Sequence, residues 1–408
     1  MKSSAIKKYD SYKDSGVEWL GDIPEHWECI KMKYLYKDVS IKNRPNELLS
    51  SVTQDRGVIP RDWIESRMVM PSGNLDSFKF IEKEDFAISL RSFEGGLEYC
   101  YHNGIISPAY TVLKKKKENL YPPFYKYLFK SISFISELQT SVVGIREGKN
   151  ISYSELSYSS LPIPPLPEQT AIAKFLDDKT IKIEEAISIK EQQISLIQER
   201  KQILIHKAVT QGLNPNVRLK DSGVEWIGKI PEHWEVKALK FICNLQSGEF
   251  ISSEDFKEEG YPVYGGNGFR AYAENYTNDG FYALIGRQGA LCGNVNYAKG
   301  KFYATEHAVV VYPIGNEDTL WLGETIKVAD FNRLSQSAAQ PGIAVGVIKN
   351  ERFPYPPLSE QKDISAYIET TSQKIETAIR LKQQEIQKLK EYKSSLINGV
   401  VKGKVRVC

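Results

Sequence analysis

A chain of 408 residues is too long for one ordinary domain and suits two or three. Its 41% hydrophobic and 26% charged residues read as a soluble globular protein. No run of about 18 apolar residues exists to span a bilayer. The lysine-bearing start MKSSAIKKYDSYKDSG has no apolar stretch behind it, so no signal peptide is expected and the expected location is the cytoplasm. A net charge of only +3 advertises no basic face of the kind that neutralises phosphates, so composition alone does not point to nucleic acid. Cys29, Cys100, Cys243, Cys292 and Cys408 are dispersed without CxxC spacing, which suits reduced thiols. The five histidines are equally scattered, and no metal site is expected.

In chain order, the first marked segment is KDSGVEWLGDIPEHW at residues 13–27. The stretch that follows, residues 28–160, contains FAISLRSFEGGLEYCYHNGIISPAYTVLKKKK. Alternating aromatic and β-branched residues around Gly95-Gly96 and Asn103-Gly104 predict hairpins. Arg91 and Ser92 flank the first of these turns, where side chains can leave a sheet. The run Lys114–Lys117 reads either as a phosphate contact or as a solvated loop.

Next comes a proline-rich boundary, LPIPPLPEQ, from Leu161 to Gln169. Proline pushes its predecessor into extended structure, so the run predicts a helix start just beyond it. In that helix Ile183, Ile187, Lys190, Ile194, Ile197, Lys201 and Leu204 alternate 4 and 3 apart, the period of a coiled-coil seam. From Glu168 to Lys207 is 40 residues, about 60 Å of helix at ~1.5 Å per residue. That exceeds a small domain, so pairing with another helix is expected. Gly212-Leu-Asn-Pro215 supplies the helix stop and turn.

The pattern then starts again. Residues 220–234 read KDSGVEWIGKIPEHW, identical to residues 13–27 at 13 of 15 positions. The second insert, residues 235–352, contains YPVYGGNGFRAY (Tyr261–Tyr272) and ALIGRQGALCGNV (Ala283–Val295). Asn267-Gly268 is a strong turn signal, and Arg270, Arg287 and Gln288 stand beside glycine turns. Arginine pairs bidentately with guanine and glutamine with adenine, so these residues read as base contacts or as solvent-facing turn residues. FPYPPLSEQ (Phe353–Gln361) repeats the boundary, and Ile375, Ile379, Lys382, Ile386, Leu389, Lys393 and Leu396 repeat the seam. The duplicated lysines, Lys190 with Lys382 and Lys201 with Lys393, either fix register or snorkel.

The chain is therefore a duplication whose frame is kept and whose inserts differ. The short connection at Gly212 favours an antiparallel helix pair, with the two globular domains expected at opposite ends of a helical spacer. The expected fold is α+β: globular domains at 1–164 and 213–356, joined by helices at 165–212 and 357–408 that form an antiparallel coiled coil. Catalytic motifs fail when tested. GGNGFRAY lacks the lysine and hydroxyl of a P-loop. In Tyr121-Pro122-Pro123-Phe124 a tyrosine stands where the amino-methyltransferase element has Asp, Asn or Ser, and its bulky ring cannot substitute. Glu235-Val236-Lys237 has the ExK form of many nucleases, but its counterpart Glu28-Cys29-Ile30-Lys31 does not. No catalysis is expected from the chain alone.

Taken together, EWLGDIPEHW/EWIGKIPEHW, PIPPLPEQ/PYPPLSEQ, the two heptad helices and the YPVYGGNG and GRQGA elements resemble the specificity subunit of type I restriction–modification enzymes over nearly the full length. The resemblance implies two target-recognition domains, each reading half of an asymmetric bipartite site in double-stranded DNA. It implies helices that act as a spacer and dock two modification (methyltransferase) subunits, with restriction (translocase and nuclease) subunits completing the assembly. S-adenosylmethionine, ATP and Mg²⁺ would then belong to those partners, and no cofactor to this chain. Pro164-Pro165 with Glu168-Gln169, and Pro356-Pro357 with Glu360-Gln361, mark the domain-to-helix boundaries and are structural. Candidate DNA contacts are Arg91, Ser92 and Arg146 in the first domain, and Asn267, Arg270, Arg287 and Gln288 in the second. Alternatives are a specificity subunit serving a methyltransferase without a restriction partner, and a coiled-coil interaction scaffold.

Overall fold

The computed structural model describes residues 7–64, 74–143, 150–289, 291–335 and 342–407. Contacts divide the chain into two compact units, Met1–Lys190 with Gln384–Cys408, and Glu191–Gln383. Both boundaries fall inside long helices, Leu166–Gln211 and Leu358–Val401. Each unit thus holds one leading motif, one insert, one proline boundary and a part of each long helix.

The duplicated leading motif has the same local chemistry in both units. Asp14 and Asp221 accept from the backbone of Gly16 and Gly223 at 2.9 and 2.8 Å, and Ser15 and Ser222 accept from Val17 and Val224 at 3.2 and 3.1 Å. The glycines are at φ +69° and +72°, where a side chain would be strained. These side-chain-to-backbone bonds make a turn, which returns the strand Tyr12–Asp14 onto Asp22–Pro24, and Leu219–Asp221 onto Lys229–Pro231. Trp27 and Trp234, which close the motif, are both fully buried.

Each insert is closed at its root by an antiparallel stem, Glu28–Lys31 on Ser160–Ile163 and Glu235–Ala238 on Arg352–Tyr355. The proline boundary then fastens the stem to the helix. Gln169 is buried, accepts from Tyr121 N at 2.8 Å and donates to Asn119 O and Pro164 O at 2.9 and 2.8 Å. Gln361 is buried likewise, accepts from Asp318 N at 2.9 Å and donates to Pro356 O at 3.0 Å. The preceding glutamates hold the leading motif: Glu168 meets His26 Nε2 at 2.8 Å, and Glu360 meets His233 Nε2 at 2.6 Å. An acidic residue also suits the positive first turn of a helix.

Inside these roots the units diverge. The first insert builds a four-stranded sheet ordered Tyr36–Val39, Thr111–Lys115, Phe86–Ile88, Glu98–Tyr99, packed on the helices Pro122–Leu128 and Ile132–Thr140. The second builds a six-stranded sheet ordered Cys243–Ser247, Ala308–Pro313, Asn278–Gly286, Val295–Ala304, Tyr261–Gly265, Gly268–Ala273. Alternation along its strands fills two cores. Ala283, Ile285, Val309 and Val311 pack with Trp321 and Ile326 of the helix Thr319–Val328, while Leu284, Val310, Ala298 and Phe302 pack on the opposite face.

The long helices pair antiparallel in both units and form a coiled coil. In the first unit Ile172 and Leu176 share a core with Val400 and Val401; in the second Ile205 and Val209 share one with Ile364 and Ile368. Ile183 and Ile386 are buried, while Ile187, Ile194, Ile375, Ile379 and Lys382 are half-buried. Lys393 meets Glu184 at 2.5 Å, and Lys201 meets Glu376 at 2.9 Å; each residue of the second pair is the other pair's counterpart in the repeat. Lys190 meets Glu385 at 2.5 Å. The lysine side chains are 23–30% exposed and the glutamate side chains 51–66%. Stem burial and ion pairing therefore occur together. Such exposed pairs add little stability.

Because Gln169 satisfies three backbone groups from two segments, Gln169→Leu should lower the unfolding free energy by about 1–3 kcal/mol, the cost of stranding buried polar groups. Denaturant titration checks this, and a variant as stable as the parent would contradict the role.

Candidate nucleic-acid interface

The clearest outward-facing polar cluster lies on the second unit. The strands Tyr261–Gly265 and Gly268–Ala273 form a hairpin whose two-residue turn is Gly266-Asn267, one position earlier than the Asn267-Gly268 signal implied. Glycine is required here for close approach. A Cβ at Gly286 would collide with the Gly266 carbonyl oxygen, and one at Gly266 would stand 2.9 Å from His307 O. Backbone thus packs on backbone, and the hairpin sits over the end of the strand Asn278–Gly286. Between hairpin and strand end is an open cleft of about 450 Å³ lined by Asn267, Phe269, Arg270, Gln288 and His307.

Asn267, Arg270 and Gln288 are exposed. Asn267 Oδ1 accepts from Asn294 Nδ2 at 3.3 Å, and Gln288 makes a backbone bridge with Gly342. Arg287 departs from expectation. It is half-buried and turned inward, with Nη1 donating to Ser247 Oγ at 3.2 Å. The alternation of a strand end explains this: of the adjacent residues Arg287 and Gln288, one faces in and the other out.

The first unit corrects several expectations. The antiparallel pair Phe86–Ile88 with Glu98–Tyr99 does form around Gly95-Gly96, but its connection is no tight turn: Ser92–Gly95 is one turn of helix ended by Gly96 at φ +80°, pressed against the Phe129 carbonyl. Asn103-Gly104 is not a hairpin turn either, because Glu98–Tyr99 pairs with Phe86–Ile88 and Gly104–Ile106 pairs with Lys79–Ile81. Ser92 is fully buried, its hydroxyl accepting from Ser89 N at 2.8 Å, so it does not face outward. Arg91 is exposed, and its carbonyl accepts from Gln54 Nε2 at 3.3 Å. Arg146 lies outside the described residues. The lysine run is not a free loop: Lys114 pairs with Glu82, and Lys116 donates to Lys33 O at 2.6 Å.

Behind Arg91 lies an ion pair, with its glutamate buried and its lysine half-buried, that the sequence does not announce. Lys130 Nζ contacts Glu98 at 2.6 Å and donates to Gln54 O and Gly95 O at 2.9 and 2.8 Å. It ties the turn after Ser50–Thr53 to the Arg91 segment. Burial raises the Glu98 carboxyl to about 7 despite Lys130, and lowers the Lys130 ammonium. Burial likewise raises Asp85 to about 6, against a backbone hydrogen bond from Glu82. Among the described residues no group of three or more His, Cys, Asp or Glu could hold a metal ion. No described helix is long and apolar enough to cross a membrane.

A frame whose turn, stem, boundary and coil contacts recur in both units, carrying two unlike sheets, defines a modular recognition protein. The type I restriction modification DNA specificity domain matches this chain twice, at residues 37–194 and 231–391. The chain belongs to that family of specificity subunits. A stretch of 138 residues is 41% identical to the EcoprrI specificity subunit of Escherichia coli, spanning 33% of this chain and about a third (34%) of that relative. The MjaVIII specificity subunit of Methanocaldococcus jannaschii is 24% identical over 94% of both chains. Among solved structures, a chain from a study of type I R-M complex assembly and conformational transition superposes at TM-score 0.72. Its identity is 16%, and the match covers 93% of this chain and 98% of that one. The HsdS subunit from Thermoanaerobacter tengcongensis superposes at 0.56 with 16% identity, covering 94% and 98%. These two share the fold.

Asp85 and Glu98 both bind a proton more tightly folded than unfolded. Their stabilisation is complete at acid pH and is lost as pH rises through about 6 and about 7. The double variant Asp85→Asn/Glu98→Gln should therefore show a flatter decline of thermal midpoint between pH 5 and pH 8. Identical slopes for parent and variant would disprove the assignment.

Proposed function

We propose that the chain is the DNA-reading and scaffolding subunit of a type I restriction–modification complex. Each insert reads one half of an asymmetric bipartite target in double-stranded DNA, and the coiled coil sets the gap between the halves. The repeated frame holds two identical modification subunits, and restriction subunits complete the assembly. The chain contributes recognition and no catalysis; S-adenosylmethionine, ATP and Mg²⁺ act in the partners.

One observation carries this reading: hydrogen bonds at the leading motif, the boundary and the coil recur from unit to unit, while the sheets they support differ in strand number and order. Equal frames suit equal partners, by the logic of symmetric assembly. Each His–Glu contact also borders a small pocket, of about 240 Å³ beside His26 and Glu168, and about 230 Å³ beside His233 and Glu360. Unequal sheets suit unequal half-sites. Asn267, Arg270 and Gln288, exposed around one cleft, have the chemistry of base-edge contacts. The weak net charge accords with partners that share the phosphate contacts.

Replacing residues 235–352 by a relative's insert, in the full chain co-expressed with its modification subunits, should change one half of the methylated motif. Single-molecule sequencing of the methylated genome reads the result; change in both halves, or in neither, refutes the division of labour. Removing one heptad from both helices shortens each by about 10 Å. The gap should then contract by about three base pairs at ~3.4 Å each, and an unchanged gap rules out the spacer role.

A further inference from the structure

Phe269 stands apart from the polar residues around it. Its ring is 54% exposed at the mouth of the cleft, although the second unit has two apolar cores to hold such a residue. The exposure is built in by a β-bulge. Val263 faces Ala271 and Tyr264 faces Phe269, so Arg270 is the extra residue in its strand. Bulges re-aim side chains, and here the consecutive residues Phe269 and Arg270 are both exposed. Behind the ring stand Tyr272, edge-on at 5.1 Å, and Tyr264 at 6.4 Å. The glycine contacts between Gly266 and Gly286 fix the hairpin beneath it. The result is a rigid apolar projection flanked by Asn267, Arg270 and Gln288.

We propose that Phe269 is a wedge that enters a base step of the half-site read by the second unit and partly unstacks it. The proposal rests on the DNA-reading role set out above and adds a deformation to it. An apolar side chain among base-edge donors and acceptors matches the means by which DNA-binding proteins open a step for closer contact. The half-site is then selected partly by how easily that step unstacks, as well as by hydrogen bonds to its bases. A ring backed by Tyr264 and Tyr272 suits this task because such backing limits the ordering that binding must supply.

The test uses the full chain with its modification subunits, and duplexes carrying 2-aminopurine at single positions through the half-site. Binding should raise the fluorescence at one step. Phe269→Ala should abolish that rise and weaken binding about tenfold, the scale of a lost base–aromatic stack. The salt dependence of binding should stay unchanged, since no phosphate contact is removed. Because the ring is exposed, the thermal midpoint should stay that of the parent, which separates the effect from misfolding. Full fluorescence and affinity in Phe269→Ala would overturn the wedge. So would weakened assembly with the modification subunits in the absence of DNA, which would place Phe269 against protein. Asn267→Ala, Arg270→Ala and Gln288→Ala serve as the second arm. If they alter the methylated motif while Phe269→Ala alters nothing, the wedge alone fails; if none alters it, DNA reading by this cleft fails with it.

Discussion

The structure depends on how each long helix begins. A glutamate and a glutamine side by side, Glu168-Gln169 and Glu360-Gln361, face different ways because adjacent helix residues lie about 100° apart. The glutamate reaches the histidine of the leading motif, while the glutamine enters the domain and bonds backbone of the stem and insert. Leading motif, recognition sheet and coil are thereby held at one point. The buried amide is costly to replace because its partners have no water to turn to. This accounts for the presence of PPLPEQ and PPLSEQ in two units whose inserts have diverged.

Rigidity continues outward from that point by two different means. In the second unit it is chiefly steric: Gly266 and Gly286 let main chains touch beneath the hairpin tip, with one amide contact from Asn294 to Asn267 beside them. In the first it is electrostatic: Lys130 and Glu98 hold the turn at Gln54 and the helical turn at Gly95 by ion pair and carbonyl contacts. The first device is indifferent to pH, and the second is sensitive to it.

Much of the frame was legible in the sequence, because a duplicated motif and a 3-4 seam are local patterns that survive without knowledge of the fold. Local signals were less reliable within the inserts. Gly95-Gly96 looked like a hairpin turn, but the positive φ at Gly96 ends a helical turn against Phe129. Ser92 and Arg287 looked exposed beside glycines, yet one closes a turn by accepting from Ser89 N and the other reaches back to Ser247. His307 and Phe269 could not be placed beside Gln288 from sequence alone. Their proximity follows from sheet order, in which the strand after Gly268 lies at an edge while those ending at Gly286 and beginning at Ala308 are neighbours. The lysine seam was ambiguous for another reason: its glutamate partners lie 175 to 209 residues away.

The two-stranded stems carry a consequence for how such a chain can change. Opposed residues in an antiparallel ladder are only about 5 Å apart, so each insert leaves and re-enters the frame through nearly the same place. Viewed from the coil, a whole recognition domain is one closed loop. The entropy of closing a loop rises only with the logarithm of its length, and here folded contacts fix the ends in any case. The frame therefore responds to whether the stem pairs, and scarcely to how many residues or strands lie beyond it. A four-stranded sheet and a six-stranded sheet can occupy equivalent places for that reason. Insert length is then nearly free to vary, and selection on the stem is almost uncoupled from selection on the surface that meets a target.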